Sequence, residues 1–179
     1  HVPYTITLFP WARALEMARS ETNTCVYSTT RTPEREHSFV WVGPVARNDW
    51  VLFARADSTI QLTTLEDAKK YKIGGYLDDA ITLHLQAQKF PVDVATKDTQ
   101  TAQKLESGRV DLWATGGTIG PHVANKLKIK IKPVLNFKAT ELYLACNPAA
   151  PPDWVKKLNE TLRAMGKDGT TAKIQKKYH

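Results

Sequence analysis

From Tyr4 to Tyr178 the apolar residues switch repeatedly between two periods, every second residue and every third or fourth. Period two marks a half-buried strand and the longer period an amphipathic helix. Tyr4 to Leu8 reads as a strand, and Pro10 opens a helix over Trp11 to Ser20 with Ala14, Leu15 and Ala18 on one face. Cys25 to Ser28 is a short strand, Thr29 to Glu36 a polar loop or short helical turn, and Phe39 to Val42 a strand that Gly43-Pro44 stops. Trp50 to Ala54 is another strand, followed by a helix that starts near Thr64 and Asp67.

The pattern continues with a strand at Lys72 to Gly75, a helix from Asp78 to Phe90 and a strand at Val92 to Val94. Asp98 caps a helix through Leu105 that Gly108 closes, and Val110 to Ala114 is a strand broken by Gly116-Gly117. Pro121 to Asn125 is a short helix. Lys126, Lys128, Lys130 and Lys132 alternate with Leu127, Ile129 and Ile131 in a strand that runs to about Val134. That alternation gives one solvated and one buried face, and edge lysines discourage further pairing. Leu142 to Ala145 is the last strand. Pro151-Pro152 starts a helix with Val155, Leu158, Leu162 and Met165 in one stripe, ended by Gly166 to Gly169, before a short terminal helix.

Strands alternating with helices predict an α/β fold with mostly parallel sheets. The block from residue 53 to 140 reads as a self-contained lobe, and residues 1–52 plus 141–179 share the other. Trp50 to Ala56 and Glu141 to Cys146 are then the two connections. Two lobes with a double connection close like a hinge around a ligand. With 179 residues and 42% hydrophobic content the chain has enough apolar surface for such cores, and it fits neither a disordered tail nor a disulfide-dense miniprotein. A net charge of +7 permits anionic partners, but no aromatic-interleaved basic patch points to nucleic acid. Cys25 and Cys146 have no metal-ligand spacing; one disulfide and two buried thiols are both compatible with their strand-like surroundings.

Several motifs occur in the order found in one family. Pro10-Trp11-Ala12-Arg13-Ala14-Leu15 precedes Tyr27-Ser28-Thr29-Thr30-Arg31-Thr32-Pro33-Glu34-Arg35-Glu36. Phe39-Val40-Trp41-Val42-Gly43-Pro44 stands where a Phe-Ser-x-Pro-Tyr segment is usual. Lys72-Ile73-Gly74-Gly75, Ser107-Gly108-Arg109-Val110-Asp111 and Lys167-Asp168-Gly169-Thr170 follow. With these motifs the chain resembles the bacterial extracellular solute-binding proteins, family 3, the periplasmic amino-acid-type receptors of ABC importers. The resemblance implies a two-lobed periplasmic-binding-protein-like fold of type II. It also implies a secreted, periplasmic, monomeric receptor that passes a small ligand to a membrane permease, with no cofactor, metal, nucleic acid or catalysis. Family members begin with a further strand and helix that usually supply an aromatic ligand contact, so an N-terminally incomplete chain is implied, by truncation or processing.

The resemblance places site residues one by one. Arg35 stands at the arginine that binds the ligand carboxylate, where a planar guanidinium matches two carboxylate oxygens. Ser28 and Thr30 stand at hydroxyl and amide contacts, and Tyr27 and Trp11 at pocket walls. Asp78 and Asp79 replace the usual Gly and Ser or Thr; they suit a helix N-terminus, or would attract an ammonium and repel a second carboxylate. The family's ammonium-binding Asp falls on Gly116, beside Thr115, which leaves room or backbone amides there. The expected ligand is small, polar and carboxylate-bearing. For Arg35→Ala, weaker carboxylate binding with little loss of fold is expected. Arg13 and Arg31 read as ordinary salt-bridge residues. Two other classes remain: an extracytoplasmic sensor module and a dehydratase-like enzyme on the same fold. Against catalysis, Asp78 and Asp79 are adjacent and diverge by about 100° on a helix, and His37, His84 and His122 are scattered.

Overall fold

The computed structural model describes residues 3–176; the end of the expected terminal helix, Lys177 and Tyr178, lies outside the described residues. Contacts divide the chain into two compact units, residues 1–14 with 48–140 and residues 15–47 with 141–179.

The first unit holds a five-stranded sheet in the order β5-β4-β6-β3-β7. Its strands are β3 (Trp50–Arg55), β4 (Ile73–Tyr76), β5 (Val92–Ala95), β6 (Leu112–Gly116) and β7 (Ile131–Lys138). Its helices are α2 (Ala80–Ala87), α3 (Asp98–Glu106) and α4 (Ile119–Leu127). Strand period two assigns the faces. Leu112 and Ala114 of β6 pack with Leu52, Ala54, Ile73 and the α2 residues Ile81 and Leu85. Trp113 points the other way, into a cluster with Ala102 and Leu105 of α3 and Ala124 of α4. Trp113 is fully buried, and both clusters are the apolar cores that drive this unit to fold. Gly75 of β4 lets α2 close in, since a Cβ there would lie 2.5 Å from Thr82 Oγ1, the hydroxyl that accepts from the Tyr76 N–H.

The second unit is built on a three-stranded antiparallel sheet, β1 (Cys25–Thr30), β8 (Glu141–Cys146) and β2 (Val40–Arg47), with β8 central. The stripe of α5 (Pro152–Lys167) packs Val155, Leu158 and Leu162 against Val42, Leu144 and Ala150. Cys25 faces Cys146 in the β1–β8 register, and the two form a disulfide. The last element is α6 (Thr170–Lys176), separated from α5 by Gly169 in the left-handed region at φ +80°. Helix α1 (Trp11–Ser20) is divided: Trp11 to Ala14 count with the first unit, and Leu15 and Ala18 are buried in the second.

Several expectations change. Tyr4 to Leu8 form no strand; among the described residues no strand pairs with them, and Leu8 is 95% exposed. Alternation alone buries nothing without a sheet to take one face. Gly43-Pro44 does not stop β2: the β8 pairing shifts register between Val42 and Ala46 and resumes to Arg47, while the Gly43 N–H donates to Asn159 Oδ1 of α5. The alternating lysines are not one strand. Leu127 ends α4, Lys128 turns at φ +60°, and β7 starts only at Ile131.

Parallel pairing is confined to β4 with β5 and β6, so the expectation of mostly parallel sheets holds in that block and not elsewhere. The expected lobe boundary also moves, since residues 1–14 and 48–52 group with 53–140. The reason is that β3 pairs along its length with β6 and β7, and β8 lies central in the other sheet, so neither is a connection. The crossings fall beside Asn48 and Thr140, which are tied by Asn48 N–H donating to the Thr140 carbonyl at 2.8 Å and by the Thr140 hydroxyl donating back to the Asn48 carbonyl.

Candidate functional site

In the second unit the predicted residues gather at the end of β1 and the turn after it. Ser28 takes φ +58°, at a register shift between Val26 and Thr29. A bulge of this kind re-aims side chains, and a non-glycine residue held in the left-handed region is a recurrent feature of binding sites. Tyr27 and Ser28 are exposed, Thr30 is buried, and the Thr30 carbonyl accepts from Arg35 Nη1 at 3.3 Å. Arg35 is only 5% exposed.

The Glu36 carboxylate takes Arg31, which donates through Nε at 2.7 Å and Nη2 at 2.5 Å. Arg31 is thus the salt-bridge residue expected, and its hydrogen bonds hold the Glu36 carboxyl below its ordinary range. Arg13 instead lies over the Phe9 ring, 4.6 Å from its centroid. Removing Arg35 is expected to cost stability as well as carboxylate binding, because its buried side chain donates to the Thr30 carbonyl.

In the first unit the remaining residues lie at the C-terminal ends of β4 and β6, where parallel sheets usually bind ligands. The Trp11 indole N–H donates to the Asp78 carbonyl at 3.0 Å, and the Trp11 backbone N–H to the Tyr76 hydroxyl at 3.2 Å. Asp78 sits at φ +57° in the turn between β4 and α2, a conformation that Asp tolerates better than most residues. Asp79 is the N-cap of α2, its Oδ2 accepting from the Ile81 N–H at 3.1 Å. Asp79→Ala is therefore expected to cost about 1 kcal/mol, read as a lower midpoint in chemical unfolding.

Thr115 is buried on the α3 face of β6 and donates to Asp98 Oδ2 at 3.2 Å; Trp113 Nε1 donates to Asp98 Oδ1 at 2.9 Å. Asp98 is a residue the sequence presented only as a helix cap. The structure makes it the first residue of α3 with its carboxylate turned to β6, and the N-cap position, Lys97, has no side-chain cap bond. Burial pushes the Asp98 carboxyl above its usual range, and its two donors pull it part of the way back. Tyr76 is raised too, first by burial, while the Trp11 N–H works against the shift and the charges of Asp98 and Asp79 add to it.

Gly116 ends β6, and the space its side chain would need is taken: a Cβ there would lie 2.2 Å from Asn48 Oδ1. No Asp fits at 116 while Asn48 stands as it does. Gly116→Ala is expected to cost about 1–3 kcal/mol by overpacking, and adding Asn48→Gly should recover most of it. Equal midpoints for Gly116→Ala and the wild type would contradict this.

The histidines are spread over separate elements. His37 lies in a short 3₁₀ turn, His122 is exposed on α4, and His84 on α2 packs edge-on to Trp50 with ring centroids 5.1 Å apart. Among the described residues no group of three or more His, Cys, Asp or Glu is placed to hold a metal, and no helix is long and apolar enough to cross a membrane. A separate cleft of about 560 Å³ runs along α3, lined by Thr96, Gln100, Gln103, Lys104, Ser107 and Arg109; it contains none of the predicted site residues.

Over residues 1–179 the sequence matches the bacterial extracellular solute-binding proteins, family 3, and the chain belongs to that family. No curated protein matches it. Among solved structures, the P235GK mutant of the arginine-binding protein ArgBP from T. maritima is similar with a TM-score of 0.87 at 16% identity, over 97% of this chain and 76% of that one. A histidine kinase sensor domain with similarity to periplasmic binding proteins gives 0.86 at 17% identity, over 94% and 75%. An ancestral amino-acid-binding protein, a precursor of cyclohexadienyl dehydratase, gives 0.82 at 19% identity, over 96% and 75%. At these identities the likeness shows the fold, an α/β fold of the type II periplasmic-binding-protein kind. Family and neighbours are mainly binding proteins, with the dehydratase precursor as a reminder that the fold can host catalysis.

Proposed function

We propose that this protein is a periplasmic receptor that binds a small polar, carboxylate-bearing ligand and delivers it to the permease of an ABC importer, without catalysing a reaction. The two units are its lobes, and it acts as a monomer. The observation that carries this reading is Arg35: a buried guanidinium held against the Thr30 carbonyl at the end of β1, next to the left-handed Ser28. A buried guanidinium keeps a rigid planar fork of donors in a site of low dielectric, the arrangement best suited to a carboxylate. Membership of the solute-binding family supports the receptor role, and an amino acid ABC transporter's substrate-binding protein among the similar structures supports delivery to an importer.

Asp79 already caps α2, so its part in the site is that of holding the β4–α2 turn, while the Trp11 indole anchors Asp78 in the same turn. Thr115 and Gly116 are both buried at the end of β6. A thermal-shift panel tests the reading, using α-amino acids, amine-free carboxylates and carboxylate-free amines. A true ligand at about 100 times its Kd stabilises by about 2.7 kcal/mol, a shift of several degrees. Shifts confined to carboxylate-bearing compounds are expected; shifts only with carboxylate-free amines would overturn the assignment of Arg35.

A further inference from the structure

We propose that the cleft between β5 and α3 docks the C-terminal end of a partner polypeptide, which adds as a strand to the open edge of β5 and sets its terminal carboxylate on Arg109. The cleft, of about 560 Å³, lies wholly within the first unit and holds none of the candidate ligand residues, so it is independent of the receptor reading.

Strand β5 stands at the end of the five-stranded sheet, and among the described residues it pairs only with β4. Backbone groups of a strand point alternately to its two sides. The Ala95 carbonyl accepts from the Leu77 N–H at 2.9 Å, on the β4 side. Alternation therefore turns the N–H and C=O groups of Val92 and Val94 to the open edge. An edge of this kind is a template for one more strand. The one charge within β5, Asp93, does not guard it, because its carboxylate is held by Lys104 of α3 at 2.6 Å.

Helix α3 supplies the other wall. Gln100, Gln103, Lys104 and Ser107 have the spacing of one helix face, and all four line the cleft. From Gln100 to Ser107 the helix advances about 10 Å. The four residues of β5 span about 13 Å. Walls of these lengths fit an extended segment of about four residues. The Thr96 hydroxyl donates to Gln100 Oε1 at 3.1 Å, so the Gln100 amide N–H groups are left to donate to a peptide carbonyl.

Direction and charge select the C-terminus. Asp93 meets Lys104 and Thr96 meets Gln100, so α3 runs back along β5, and Arg109, just after α3, falls at the Val92 end. A strand added antiparallel to β5, the more stable pairing, finishes at that same end. Arg109 is exposed, and among the described residues no carboxylate pairs with it. Its guanidinium offers the planar pair of donors that a terminal carboxylate matches.

The test is an amide-resolved NMR titration of the wild type and Arg109→Ala with acetyl-Thr-Val-Thr-Val, carrying either a free C-terminal carboxylate or a C-terminal amide. Main-chain hydrogen bonds supply most of the affinity in strand addition, so a simple alternating peptide is a fair probe. The free acid is expected to shift the Val92 and Val94 amide signals and slow their hydrogen exchange. The amidated peptide should bind the same place about tenfold more weakly. Arg109→Ala should bring the free acid down to the level of the amidated peptide and leave the latter unchanged. Unmoved β5 signals at millimolar peptide would overturn the proposal, and so would shifts confined to Ser28 and Arg35, which would assign the carboxylate to the receptor site alone. Equal binding of the two peptides to the wild type would overturn the choice of the C-terminus and the role of Arg109.

Discussion

Replacing Cys25 and Cys146 together by Ala is expected to lower the stability of the second unit by about 2–5 kcal/mol. The two cysteines lie 121 positions apart, and the bridge joins β1 to β8 across everything the first unit inserts between them. Without it the unfolded ensemble gains the entropy of a very long open loop. The unit has little to offset that: its sheet has three strands, and α5 contributes no fully buried residue. Urea unfolding of the wild type, with and without reductant, checks the point. Reduction should bring the wild-type midpoint down to that of the double variant and leave the variant unmoved. A midpoint indifferent to both treatments would refute it.

Arg35→Ala is expected to cost about 2–5 kcal/mol of affinity for a carboxylate probe, roughly thirtyfold to several thousandfold. The loss has two sources, the ligand charge left without its partner and the missing fork geometry. Arg35→Lys separates them, since it keeps the charge and loses the fork, and should fall between. The variant is also expected to be less stable than the wild type by about 1–3 kcal/mol, because the buried Thr30 carbonyl loses its donor. Arg31→Ala is the control. Its pair with Glu36 is solvent-exposed and is worth about 0–1 kcal/mol. Titration of all three variants with one carboxylate probe checks the order; equal affinity for Arg35→Ala and the wild type would contradict it.

The parts of this fold that could be read from sequence are those where a local signal agrees with its surroundings. Pro152 begins α5, and the Val155, Leu158 and Leu162 stripe does meet the sheet. Gly108 follows α3 at φ +70°, as a closing glycine should. The misreadings share one cause: the same pattern served several structures. Leu127, Ile129 and Ile131 alternate with lysines across a helix end, a left-handed turn and a strand start, and Lys128 at φ +60° carries no glycine or asparagine signal to mark the turn. Tyr4, Ile6 and Leu8 alternate like a strand and are exposed. Strand β3 carries nothing in its sequence that says it pairs with β6 and β7 and not with the sheet of the second unit.

At the candidate site, motif order pointed to Arg35 and Ser28 as candidates, while the burial of the one and the left-handed backbone of the other have no trace in the sequence. Asp98 was hidden because an Asp before a helix reads as a cap; only the position of Trp113 and Thr115 on the opposite strand reveals where its carboxylate goes. Gly116 could be named as a departure, while its cause, the Asn48 side chain, lies 68 positions away and has no local trace.

The most direct test of the receptor reading is to titrate the probe with the largest thermal shift into the wild type by calorimetry, then recover the probe and weigh it by mass spectrometry. One binding site per chain and a probe recovered unaltered are predicted, as befits a protein that captures and releases. A probe recovered in chemically converted form, or no heat with any compound that shifted the melting point, would contradict it.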